Sequence, residues 1–127
     1  MNEVQVRPIH SRAERRIFLQ FPWRIYRSIS PGDPLWIPPL LPERAERIDP
    51  QRGAFFQRGQ AEFFIAWRDG QPVGTISAAE DRAVNSQRGL KDCMFGFFEC
   101  VSDYAVACAL FDSAAAWAGE RGLETLY

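Results

Sequence analysis

The chain has 127 residues, 46% hydrophobic and 24% charged, with a formal net charge of −1. That balance fits one globular domain that buries a core without disulfides or metals, and it excludes a disordered chain. No apolar run approaches the roughly 18 residues that span a bilayer, and the interspersed charges form no basic run along the sequence, so neither a membrane nor a nucleic acid is expected as a partner.

The N-terminus, MNEVQVRPIH, has no charged segment followed by an apolar one, so no signal peptide is expected. Cys93, Cys100 and Cys108 are an odd set without CxxC spacing, which fits a reducing compartment and a cytoplasmic location. His10 is the sole histidine, so no metal site is expected.

Val4 and Val6 alternate with polar neighbours and predict a short strand, which Pro8 ends. Ser11 and Glu14 form an S-x-x-E capping box for a helix carrying Ile17, Phe18 and Phe21 on its inner side. Pro22 is expected to interrupt that helix, with a second short helical piece through Trp23, Ile25 and Tyr26. Residues 30–42, SPGDPLWIPPLLP, read as an extended or turning segment with Trp36, Ile37, Leu40 and Leu41 packed down. Pro42 and Glu43 start a short helix to about Ile48, and a loop carrying Phe55 and Phe56 follows.

Residues 61–67, AEFFIAW, predict a strand, Asp69-Gly70 a hairpin turn, and residues 72–79 the return strand. Residues 81–92 are polar and read as a loop. CMFGFFEC, residues 93–100, is nearly all apolar, as in a central strand buried on both faces. Ser102 or Asp103 caps the next helix, in which Val106, Leu110, Ala114 and Trp117 recur at helical spacing until Gly122 stops it. Residues 123–127 begin a further strand.

This order resembles the first part of the GNAT fold, the acetyl-CoA-dependent N-acetyltransferase superfamily. The segments that carry the likeness are DPLWIPPLLP after Tyr26, FFIAWRDGQPVGTIS, FGFFEC, and the helix through Trp117 to ERGLE; together they cover nearly the whole chain. The resemblance implies an α+β fold, a mixed and mostly antiparallel sheet flanked by helices, with residues 1–127 as a single domain. Family members continue past the fifth strand, and some carry a second similar lobe. The resemblance therefore implies a fold left incomplete at its C-terminus, or one whose sheet a second GNAT-like lobe or a partner completes. A plain C-terminal edge strand is the other reading of residues 123–127.

GNAT enzymes bind acetyl-CoA, or another acyl-CoA, in a wedge between the fourth and fifth strands, with the pyrophosphate at the start of the following helix. The resemblance places this cofactor site on Phe98, Cys100, Val101, Ser102, Asp103 and Tyr104. The family's R/Q-x-x-G-x-G/A turn is absent here, where the stretch is Val101-Ser102-Asp103-Tyr104-Ala105-Val106. Asp103 at the helix start satisfies free N–H groups itself and puts negative charge where a pyrophosphate sits.

Glu99, late in the fourth strand and flanked by Phe97 and Phe98, is the candidate catalytic base, desolvation raising its pKa; pairing with an arginine or capping the turn is the alternative. Cys100 reads as a core thiol. Trp36 and Pro38 would line a groove for the acceptor, a small-molecule or peptide amine, or else belong to a rigid packed loop. Two functions remain open: an N-acyltransferase, or a non-catalytic GNAT-like lobe that scaffolds a partner.

Overall fold

The computed structural model describes residues 3–29, 48, 56 and 58–127. Strand β1 (Gln5–Pro8) leads into helix α1 (Arg12–Ile29). Ser11 Oγ accepts from the Glu14 N–H at 3.1 Å, and the Glu14 carboxylate accepts from the His10 N–H at 2.7 Å. The capping box forms as the sequence predicts, with its return bond made one residue early.

Pro22 does not break the helix, contrary to expectation; α1 runs through it to Ile29. An internal proline removes one helical hydrogen bond and costs about 3 kcal/mol. Here Pro22 is itself buried, with Phe18, Phe21 and Ile25 beside it on the core side, and their burial at about 1.5–3 kcal/mol per side chain offsets that cost.

Strands β2 (Gly59–Arg68) and β3 (Gln71–Asp81) form the predicted hairpin. Asp69 (φ 52°) and Gly70 (φ 74°) both take positive φ, the requirement of a type I′ turn. The segment after β3 is not the expected loop. It contains the two-turn helix α2 (Arg82–Arg88), capped by the Asp81 carboxylate on the Val84 N–H and ended by left-handed Gly89. Buried Asn85 ties it to the sheet, donating to the Asp92 carbonyl at 3.0 Å and to Glu80 at 3.2 Å.

Strand β4 (Asp92–Cys100) follows, then helix α3 (Tyr104–Glu120) and strand β5 (Thr125–Leu126). The sheet order is β1-β2-β3-β4-β5, antiparallel except for the parallel β4–β5 pair. β4 is not buried on both faces as its composition predicted: Cys93 is fully buried, but most of the strand is half-buried and Phe95 is 38% exposed.

Strand alternation divides the core in two. Phe63 and Ile65 face α1 and pack with Phe18, Leu19 and Ile48. Phe64, Ala66, Ile76 and Ala78 face α3 and pack with Val106, Leu110, Ala114 and Trp117. No helix among the described residues is long and apolar enough to cross a membrane.

Candidate active site

β5 joins β4 only at its start: Asp92 stands beside Thr125 and Cys93 beside Leu126, and the Phe95 N–H donates to the Tyr127 carbonyl at 2.8 Å. Beyond this point β4 changes direction. Ser77 pairs with Gly96 but Thr75 pairs with Glu99, so two residues, Phe97 and Phe98, stand opposite Ile76. Such a bulge bends a strand and re-aims its side chains. Phe97 has φ 50°, in the left-handed region that a bulky residue rarely adopts.

What holds the bulge is visible around it. Fully buried Thr75 donates its hydroxyl to the Phe97 carbonyl at 2.7 Å. The Phe97 ring packs 5.6 Å from Phe18 and 6.0 Å from Phe63, on the α1 side. Phe98 turns to the other face and meets Phe111 at 4.7 Å. Glu99 pairs with Thr75 and so shares the α1 face with Phe97, half-buried. Cys100 lies opposite Gly74 on the α3 face.

The strand then turns into α3. The Val101 N–H donates to the Val73 carbonyl at 3.0 Å, and the Asp103 N–H to the Val101 carbonyl at 2.7 Å. Asp103, not Ser102, is the N-cap; its carboxylate accepts from the Ala105 N–H at 3.0 Å. Its carbonyl takes the Val106 and Ala107 N–H groups. Several donors that would cradle a phosphate are therefore used by Asp103, as its position in the sequence suggests.

The negative charge is not left bare, however. Arg68, at the end of β2, reaches the Asp103 carboxylate with an N···O distance of 2.7 Å. The Arg68 hydrogen bond, then the Ala105 N–H, hold the Asp103 carboxyl below its usual range. A depressed pKa contributes stability above the ordinary carboxylate range, lost as pH falls through the lowered value. Asp103→Asn should therefore flatten the acid side of the stability–pH profile, read from thermal midpoints below pH 5. An unchanged acid limb would mean the Arg68 contact contributes nothing in solution.

Two other predicted positions are informative. Burial, then the charges of Glu99 and Asp103, push the Cys100 thiol up, which suits a core thiol and not a nucleophile. Tyr104 is 85% exposed, its phenol raised by a hydrogen bond with Cys108. The six positions expected at the cofactor turn thus lie together at the end of β4, with Glu99 one residue from Cys100 on the opposite face. Trp36 and Pro38 lie outside the described residues, as does the short helix before Ile48. Arg68 and Thr75 are neighbours of this turn that the sequence reading missed; only the strand register brings them there. Among the described residues no group of three or more His, Cys, Asp or Glu side chains is arranged to hold a metal ion.

No family model matches the chain. It is 34% identical over 121 residues to the bacterial ceramide synthase of Caulobacter vibrioides, and 34% identical over 118 residues to Protein YghO of Escherichia coli. These alignments take in 94% and 92% of this chain, but it spans only about 30% and 29% of those proteins. Among solved structures, a tandem GNAT protein of the clavulanic acid biosynthesis pathway matches 94% of this chain and 34% of its own length, with a TM-score of 0.66 at 12% identity. FeeM, an N-acyl amino acid synthase from uncultured soil microbes, matches 99% of this chain and 70% of its own, with a TM-score of 0.60 at 18% identity. A predicted acetyltransferase from Clostridium acetobutylicum, solved with acetyl-CoA, gives a TM-score of 0.61 at 12% identity over 98% of this chain and 79% of its own. At these identities the likeness is one of architecture: the chain has a GNAT-type fold.

Proposed function

We propose that this chain supplies the N-terminal part of an N-acyltransferase that moves an acyl group from acyl-CoA to an amine. The observation that carries the reading is the bulge at Phe97 and Phe98. It bends β4 just past its short pairing with β5 and delivers the strand to the start of α3. A bent strand beside a parallel neighbour is the wedge into which a pantetheine arm fits in this fold. The residues at its end, Phe98 to Tyr104, would line that arm and the pyrophosphate.

In the reaction the amine nitrogen attacks the thioester carbonyl. The C–N bond forms, the C–S bond breaks, and CoA leaves as a thiolate that takes up a proton. Glu99 is the group we assign to remove the proton from the amine, directly or through a water. The name of the Caulobacter relative points to an acceptor that is a long-chain amino alcohol, since a ceramide is a fatty amide of such a base. That of FeeM also points to N-acylation.

A second reading has an observation of its own. Asp103 occupies donors at the start of α3 that a phosphate needs, which favours a non-catalytic lobe serving a partner. Arg68 answers part of this objection, because its guanidinium stands beside the carboxylate and offers charge to an incoming phosphate.

A thermal melt with and without acyl-CoA, with adenosine diphosphate as the anion control, separates the two. Ligand at about 100 times its Kd adds about 2.7 kcal/mol, several degrees in Tm. An acyl-CoA-specific shift supports the enzyme reading, and a cooperative melt without a shift supports the scaffold. In an amine acylation assay, Glu99→Gln should lower kcat by about 10²–10⁴-fold, the range for a general base. Unchanged kcat would remove Glu99 from the mechanism.

A further inference from the structure

The net charge of −1 hides a strong segregation. On α1, Arg12, Arg16, Gln20 and Arg24 follow at intervals of four and are all exposed. At 3.6 residues per turn they fall, with half-buried Trp23, within an arc of about 120°. No acidic residue shares that arc. Glu14, the one carboxylate near the start of α1, lies toward the core side and takes the His10 N–H. The four ion pairs between described residues draw on other basic groups: Arg58, Arg68, Lys91 and Arg121.

The stripe runs into a cleft of mixed polar and apolar lining, to which Gln20 and Arg24 themselves contribute. Between α1 and the β2–β3 hairpin lies a cavity of about 620 Å³, lined by Ile17, Phe21, Trp23, Trp67 and Pro72 among others. Arg24 stands at this cleft, donating to the Gln71 side chain. Arg7, also exposed, lies 5.4 Å over the Trp67 ring on the same face of the sheet.

We infer that the outer face of α1 docks on an anionic lipid surface. A helix in an interface needs cations for the headgroup phosphates and amphipathic aromatic rings for the boundary below them. This face carries both, and no acidic residue of α1 lies within its arc. The stripe spans about 18 Å, from twelve residues at 1.5 Å rise, one side chain per turn along a flat surface. A bare phosphate backbone would use the arginines but leave Phe21, Trp23 and Trp67 of the cleft without a role. This contact is peripheral, and it stands whether or not the chain transfers acyl groups.

The test is co-sedimentation of the full chain with phosphatidylcholine vesicles, with and without phosphatidylglycerol. We expect binding only to the anionic vesicles, falling with added salt. A basic residue near such a surface contributes about fivefold in affinity, so R12Q/R16Q/R24Q should lose about a hundredfold. The charge-matched R82Q/R88Q/K91Q, which removes three cations from elsewhere, should bind nearly as well as the parent, and circular dichroism melts establish that both are folded. Equal loss in the two triple variants would reduce the effect to net charge and overturn the assignment. So would equal binding to neutral vesicles, no vesicle binding at all, or tighter binding to single-stranded RNA that depends on the same arginines.

Discussion

Replacing Gly74 with alanine should lower the stability of this domain, although a glycine-to-alanine change within a strand ordinarily does the reverse. Gly74 does not have a positive φ, so an alanine strains no backbone angle there. Removing a glycine should stabilise by about 0.4–1 kcal/mol through the unfolded chain alone. The folded state opposes this. A Cβ at Gly74 would lie 2.6 Å from Leu110 Cδ1, 3.1 Å from Cys100 Cβ and 3.2 Å from the Glu99 carbonyl oxygen.

Leu110 is fully buried and cannot move into solvent, and the Glu99 oxygen belongs to the backbone. Overpacking of this kind costs about 1–3 kcal/mol, which exceeds the entropic gain. Gly74→Ala should therefore lower Tm by several degrees, and Gly74→Val by more. Because the closest contact is one methyl group of Leu110, the double variant Gly74→Ala/Leu110→Val should recover part of the loss, a non-additivity expected only between touching residues. A rise in Tm for Gly74→Ala would mean that α3 does not approach the sheet this closely. Loss of acyl-CoA binding in the same variant would tie that approach to the site, since Glu99 and Cys100 are the neighbours displaced.

The elements legible in the sequence were those whose signal is local. Asp69-Gly70 takes the two positive φ values that its hairpin requires, and Ser11 with Glu14 caps α1. Val106, Leu110, Ala114 and Trp117 recur at helical spacing because they form the buried stripe of α3. Local signals mislead where tertiary packing overrides them. Pro22 is a helix breaker by composition, yet the neighbours it is buried among keep α1 continuous.

The short helix α2 has its own local signals, Asp81 as N-cap and Gly89 as stop, but its polar surface masked them; only Asn85 is buried. The turn around Asp103 was legible as a departure from the family pattern. Its answer was not, because Arg68 is 35 residues away and arrives there only through the β2–β3–β4 register. The cationic face of α1 was hidden in the same way. Arg12, Arg16 and Arg24 are dispersed along the sequence and are gathered only by the turn of the helix.

Thr75→Val should damage both the fold and the site, through one hydrogen bond. Thr75 is fully buried, and its hydroxyl is the donor on the Phe97 carbonyl at 2.7 Å. Valine keeps the branched shape, so packing changes little and the variant isolates the loss of the donor. Losing a side-chain hydrogen bond of this kind costs about 0.5–1.5 kcal/mol net. Here the accepting carbonyl belongs to the bulge residue with φ 50°, a conformation that surrounding contacts must hold against its own strain.

The valine should thus lower Tm, and it should also let β4 relax from the bulge, shifting Glu99 and the Val101–Asp103 turn that follows. Thr75→Ser retains the hydroxyl and should restore ligand response, though with some stability lost to the missing methyl. If Thr75→Val loses stability but keeps a full acyl-CoA shift in the melt, the bulge is held by the Phe97 packing on Phe18 and Phe63, and the hydroxyl is structural only. If it loses the shift at temperatures where it remains folded, and serine returns it, the Thr75 hydroxyl is a positioning group for the wedge at the end of β4.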